Sequence, residues 1–126
     1  MIDCSSIVFA SVCFAGPPKI ARFDFGQDIK AGARVTATCS IVSGTAPFEI
    51  QWMKDGRPAS SSASVLFDSG RESSVVVFKP VAVDDVGNYT CLVKNAYGTD
   101  SFTARLVVKC ECRQFNPLKC SSVVHY

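Results

Sequence analysis

Apolar and polar side chains alternate along most of the stretch from Ala33 to Val108, and that two-residue period is the mark of strands half-buried against a core. Ala33, Val35, Ala37, Cys39 and Ile41 occupy every second place, with Arg34, Thr36, Thr38 and Ser40 between them. This strand is expected to bury the face that carries Cys39. Gly44 to Pro47 reads as a turn, and Phe48 to Lys54 as a strand that turns Phe48, Ile50 and Trp52 inward before a strong turn signal at Asp55-Gly56. Ala59 to Ser64 is a serine-rich loop, followed by at most a short edge strand from Ser64 to Phe67. Val76 and Phe78 supply the inward side of the next strand. Tyr89, Cys91 and Val93 supply that of the one after, with Asn88, Thr90, Leu92 and Lys94 outward. Asn95-Ala96-Tyr97-Gly98 makes a hairpin turn into a last strand that buries Phe102, Ala104, Leu106 and Val108. Seven or eight strands in about ninety residues, with nothing at helical period for more than a turn or two, predict an all-β sandwich of two sheets.

The remaining sequence divides the chain into three parts. Residues 1–16 are a signal-like or truncated leader: Ile7 to Ala15 is apolar apart from Ser11, but Met1 to Ser6 carries Asp3 and no Lys or Arg. Residues 17–109 hold the patterned domain, and residues 110–126 are an irregular cysteine-containing tail in which the alternation stops. The chain has 126 residues, 13 basic and 11 acidic, for a net charge of +2. So even a balance gives no electrostatic footprint for nucleic acid. No stretch reaches the roughly eighteen consecutive apolar residues a membrane-crossing helix needs.

Seven cysteines in so short a chain point to an oxidising compartment. Cys39 and Cys91 lie in the patterned body and look like a designed pair; closing their loop would remove about 4 kcal/mol of denatured-state entropy in the chain-entropy model. Cys4 and Cys13 fall in the leader, and Cys110, Cys112 and Cys120 in the tail. With His125 the tail cysteines could supply four metal ligands, but their spacing matches no paired zinc pattern, and unpaired thiols are expected instead. No cofactor, metal or small-molecule substrate is expected. The only histidine is His125, and there is no glycine-rich phosphate loop, so the expectation is a binding module without enzymatic activity.

Cys39, Trp52 and Cys91 stand in the order of a sandwich whose sheets are joined by a disulfide against a buried indole. The run Asp85-x-Gly87-x-Tyr89-x-Cys91 sharpens the match, because Tyr89 stands two residues before the second cysteine, where its hydroxyl can return to the preceding corner. From Pro17 to Lys109 the chain resembles the immunoglobulin superfamily. Trp52-Met53-Lys54-Asp55-Gly56 and Asn95-Ala96-Tyr97-Gly98 resemble its intermediate-type (I-set) domains. Pro17-Pro18-Lys19-Ile20-Ala21, Phe23-Asp24-Phe25, Gly32-x-Arg34-Val35 and Ser43-Gly44 are similar to variable domains of the arthropod Down syndrome cell adhesion molecules, especially the shortened chelicerate forms. Arg22 departs from that pattern, standing where proline is frequent.

The resemblance implies an immunoglobulin-like antiparallel sandwich with Greek-key connections, and binding of the same domain on an opposing cell in neuronal wiring and self-recognition. It implies a place outside the cell: at the plasma membrane through a longer parent receptor, or secreted. Two alternatives share the fold, a soluble immune-recognition protein and an intracellular structural module of a muscle-type protein. Cys39, Cys91, Trp52 and Tyr89 have structural work in the core. The expected contact residues are outward ones around Arg22, Phe23, Asp24, Ser64, Phe67, Arg71 and Glu72, which mix charge with apolar groups. Asn88-Tyr89-Thr90 is an N-glycosylation sequon, and burial of Tyr89 would turn Asn88 outward.

Overall fold

Strands form where the alternation lets one side be buried and the other solvated, and the computed structural model, which describes residues 16–109, contains eight of them. They are β1 (Lys19–Ile20), β2 (Val35–Ser43), β3 (Glu49–Lys54), β4 (Arg57–Pro58), β5 (Val65–Ser69), β6 (Ser73–Phe78), β7 (Gly87–Asn95) and β8 (Gly98–Leu106). One sheet has the order β1-β2-β6-β5 and the other β4-β3-β7-β8, with all neighbours antiparallel. Hairpins join β3 to β4, β5 to β6 and β7 to β8, while the chain changes sheet after β2, β4 and β6. This is an immunoglobulin-like sandwich with Greek-key connections. The leader up to residue 15 and residues 110–126, with Cys4, Cys13, Cys110, Cys112, Cys120 and His125, lie outside the described residues.

Local chemistry fixes the turns. Asp55 and Gly56 both adopt positive φ, 51° and 84°, the two-residue geometry that suits the twist of a hairpin. In the β7–β8 turn the Asn95 carboxamide oxygen accepts the N–H groups of Tyr97 and Gly98, at 2.8 and 3.0 Å. Its Nδ2 donates to the carbonyls of Gly16 and Thr45, which ties this turn to the β2–β3 loop and to the start of the described chain. Gly44 (φ 122°) completes that junction: a Cβ there would lie 2.7 Å from Pro18 Cα, so only glycine lets the loop close on Pro17 and Pro18.

The core lies between the sheets, and its centre is a pair of links side by side. Cys39 of β2 and Cys91 of β7 are joined by a disulfide with Cα atoms 6.4 Å apart. Ser74 is the cross-strand partner of Cys39, and Trp52 that of Cys91. The Trp52 indole N–H donates to Ser74 Oγ at 2.8 Å, so a covalent bond and a hydrogen bond span the same gap on adjacent strands. Ser74 is fully buried and satisfied by Ser69 Oγ and the Asp68 carbonyl as well. Phe25, Phe78 and Tyr89 stack edge to face at one end, with ring centroids 5.4–6.0 Å apart. The Tyr89 hydroxyl donates to the Asp85 carbonyl at 2.6 Å, closing the corner before β7. Burial, then the nearby Asp85 and Asp55 carboxylates, push its pKa well above the ordinary phenol value.

Two expectations about the outer surface are corrected here. Phe23 faces inward, 8% exposed, with its ring 5.4 Å from Trp52 and 5.1 Å from Phe102. The segment after β1 leaves its sheet and crosses towards β8, where Lys109 exchanges backbone hydrogen bonds with Ile29 and Ala31, and the crossing lays Phe23 and Phe25 over the open flank of the sandwich. Phe67 is only half-exposed: its ring is tilted onto Trp52 with centroids 5.8 Å apart, because the strand from Val65 turns its odd positions to the core. The edge strand itself runs Val65–Ser69, later than expected.

Candidate functional site

A binding module offers faces and edges, and three regions of the surface compete. The first is a shallow groove of about 640 Å³ between β4 and β5, lined by Lys54, Asp55, Arg57, Phe67 and Asp85 among others. Several of its polar groups are already engaged: Lys54 Nζ donates to the Asp84 carbonyl, the Asp55 carboxylate accepts the Asn88 N–H, and the Asp85 carbonyl accepts the Tyr89 hydroxyl. The groove is part of how the corner is built. The second region is the free edge of β5. There the serine loop covers the backbone, since Ser61 Oγ accepts the Phe67 N–H at 3.0 Å and the Ser62 N–H donates to the Val65 carbonyl at 2.7 Å. An edge blunted in this way is closed to strand addition.

The third region is the outer face of β1-β2-β6-β5. Because β6 reads Val75-Val76-Val77, valine occupies both the inward place and the two outward places around it. Val77 is paired with Thr36 on one side and Leu66 on the other, and Val75 with Thr38 and Asp68. Leu66 is 44% exposed, and Val42, outward by alternation near the end of β2, is 64% exposed. The result is an apolar patch bordered by threonines and by the carboxylate of Asp68. None of Leu66, Val75, Val77 or Val42 was among the expected contact residues. The signal was in the sequence: an outward valine on each side of Val76 breaks the alternation of apolar and polar places.

The expected contact residues divide around this face. Ala21 N–H donates to the Ser40 carbonyl and Ile41 N–H to the Glu72 carbonyl, so Arg22 and Glu72, both exposed, flank the same stretch of β2 from opposite sides. Arg71 is exposed beside Glu72 in the β5–β6 turn, and Asp24 is exposed with its carboxylate accepting the Gly26 N–H. Ser64 lies at the other end of the sheet, half-buried, its carbonyl holding the Lys79 N–H. Arg22, Arg71 and Glu72 thus gather at one end, Ser64 does not join them, Phe23 belongs to the core, and Phe67 is half-buried against it. Among the described residues no group of three or more His, Cys, Asp or Glu side chains forms a metal cluster.

Two back-to-back sheets joined by a buried disulfide against an indole, with a tyrosine closing the corner two residues before the second cysteine, define an immunoglobulin-type domain. Residues 18–108 match the immunoglobulin I-set domain family, and the chain belongs to it. Among curated proteins it is 34% identical over 93 residues to the rat "Cell adhesion molecule DSCAM" and 32% identical over 95 residues to "Cell adhesion molecule Dscam2" of Drosophila melanogaster. Each alignment covers 74% of this chain, which spans only 4–5% of the length of those relatives. Among solved structures, the Dscam1 Ig7 domain, isoform 5, superposes with a TM-score of 0.70 at 28% identity, covering 74% of this chain and 97% of that one. An I-band fragment of titin, I67-I69, superposes with a TM-score of 0.69 at 28% identity, covering 77% of this chain and 34% of that one.

Proposed function

We propose that this chain is an extracellular recognition module of an adhesion receptor and that it binds a second copy of itself on an opposing cell, through the outer face of β1-β2-β6-β5. The observation that carries the reading is the paired Leu66 and Val77 with Val75 beside them, apolar groups on a strand face where solvent alone would favour polar ones. A two-fold axis lying in the contact plane across the strands would lay this patch on its own copy and set the end of the sheet with Asp68 and Glu72 against the end with Arg34 and Lys79. Three strands, β2, β6 and β5, spaced about 4.8 Å apart and paired over five or six residues at about 3.4 Å each, offer a footprint of roughly 300 Å². That is small against the ~800 Å² per partner of a standard interface, so one contact is weak and adhesion depends on many copies held together.

The similarity to cell adhesion molecules supports the extracellular setting, and the Cys39–Cys91 bond agrees with an oxidising compartment. The titin likeness supports the alternative of an intracellular structural module, which would need neither the bond nor self-contact between cells. Sedimentation of the purified chain, together with aggregation of beads that display it, tests the proposal. Concentration-dependent dimers and bead clusters that exclude beads bearing a different I-set domain are expected. A strictly monomeric protein whose beads stay dispersed at high display density overturns self-binding.

A further inference from the structure

The outer face of the other sheet has a different character and carries the Asn88-Tyr89-Thr90 sequon. Asn88 is exposed on β7, directly opposite Arg105 of β8 and next to Asp55 of the β3–β4 turn. Its backbone is clasped on the β3 side: Asp55 N–H donates to the Asn88 carbonyl at 2.8 Å, and the Asn88 N–H to the Asp55 carboxylate at 2.9 Å. The side chain is held loosely by comparison, with Arg105 Nη1 reaching Oδ1 at 3.4 Å. Thr90 points to the same face two residues on, its hydroxyl paired with that of Thr103 at 2.7 Å, and Tyr89 between them is buried. The sequon therefore shows its acceptor amide to solvent and hides its middle residue. Around it the outward positions are mostly polar, among them Gln51, Lys94, Ser101 and Thr103, with Met53 and Leu92 half-buried between them, so a sugar here covers few apolar side chains.

We propose that Asn88 carries an N-linked glycan, and that this glycan makes the outer face of β4-β3-β7-β8 the non-adhesive side of the domain. The donor is an oligosaccharide on a polyprenyl pyrophosphate. Asn88 Nδ2 attacks the anomeric carbon of the reducing-end N-acetylglucosamine; the C–N bond forms as the bond from that carbon to the pyrophosphate oxygen breaks. The lipid pyrophosphate leaves with the electron pair, and the amide proton passes to a base of the transferase. β7 is a central strand, hydrogen-bonded to β3 and β8, so transfer takes place on the extended nascent chain before the strand pairs. Folding then fixes the sugar outward, because the alternative side of β7 is the closed core. The first half of the proposal needs only passage through a secretory compartment; the second half rests on the self-binding reading.

The test is secretion of the full chain from insect cells behind a host signal peptide, followed by intact mass and peptide mapping before and after peptide N-glycosidase. A single glycan mass that the enzyme removes, leaving Asn88 deamidated, and that is absent from both Asn88→Gln and Thr90→Ala, is the expected result. A secreted protein whose mass the enzyme does not change overturns the modification, whatever its self-association. Sedimentation of the glycosylated and enzymatically trimmed proteins tests the second half. Self-affinity equal within about threefold is expected, and a gain of roughly tenfold or more on trimming shows that the sugar covers the contact face and overturns the assignment of sides. Trimmed and untrimmed proteins that are both monomeric refute self-binding and, with it, the assignment of sides, while the glycan stands on its own mass.

Discussion

The outer faces of the two sheets are built by the same alternation and filled with apolar and polar side chains in different proportions. On β4-β3-β7-β8 the outward places hold Glu49, Gln51, Asn88, Lys94, Arg105 and a ladder of hydroxyls that includes the Thr90–Thr103 pair, interrupted by Met53 and Leu92 and followed by the exposed Val107. On β1-β2-β6-β5 they hold Leu66, Val75, Val77 and Val42 among threonines. Either composition sustains a strand, since a β-branched side chain suits the pleat whether it is valine or threonine. Stability therefore does not require the valines on the solvent side. Val75 and Val77 are half-buried by their cross-strand neighbours and Leu66 is 44% exposed, and the apolar surface this face leaves in water is the physical argument for a partner.

The comparison is broken most severely by removing what holds the faces back to back. Trp52→Ala should cost about 3–5 kcal/mol of folding stability, through lost packing and the lost hydrogen bond to Ser74, and a denaturant titration should show both faces lost in one transition. Next comes the contact face itself. Leu66→Glu should leave the unfolding midpoint within a few degrees of the parent, because the side chain is outward, yet weaken self-association by roughly tenfold to thirtyfold, about 1.4–2 kcal/mol, as read by sedimentation. An unchanged dimer constant would remove this face from the proposed site.

Tyr89→Phe should cost about 1 kcal/mol by deleting the bond to the Asp85 carbonyl, without altering either outer face. The phenol also sets a pH dependence. Its folded pKa is raised above the unfolded value near 10, so its contribution is complete below that pH and declines as pH rises beyond it, when the unfolded chain ionises first. Unfolding measured from pH 8 to 11 should show that decline in the parent and a shallower one in Tyr89→Phe. The smallest effect is expected on the polar face: Thr103→Glu should change stability by no more than about 0.5 kcal/mol and leave self-association untouched. A loss of binding there as large as that of Leu66→Glu would reverse the assignment of sides.

Much of the fold is legible before folding. Period-two alternation places Cys39, Trp52, Val76, Phe78, Tyr89, Cys91, Val93, Leu106 and Val108 in the core, where they are found, because only a strand with one buried side makes that pattern. Asp55-Gly56 and Asn95-Gly98 mark their hairpins through backbone chemistry that needs no distant partner. The candidate site is less legible. Arg22-Phe23-Asp24 shows two charges around one ring, which reads as surface, and Phe67 sits at the end of a short edge strand; whether such rings are wet or dry depends on what lies across the gap. For both rings the answer is Trp52, which belongs to the opposite sheet.

The sequence by itself determined which segments form strands, where the hairpins turn, and which alternate places of the longer strands face inward, because those are decisions of a few neighbouring residues and the two-residue period of a strand. Only the tertiary structure decided that Arg22 and Glu72 flank one stretch of β2, that Ser64 lies at the far end, and that Leu66, Val75 and Val77 join into one patch while Asn88 looks the other way. Strand order and register set those distances, and they come from which strands find each other across the whole chain. A face is a property of neighbours in a sheet, and neighbours such as β2 and β6 stand more than thirty positions apart along the chain.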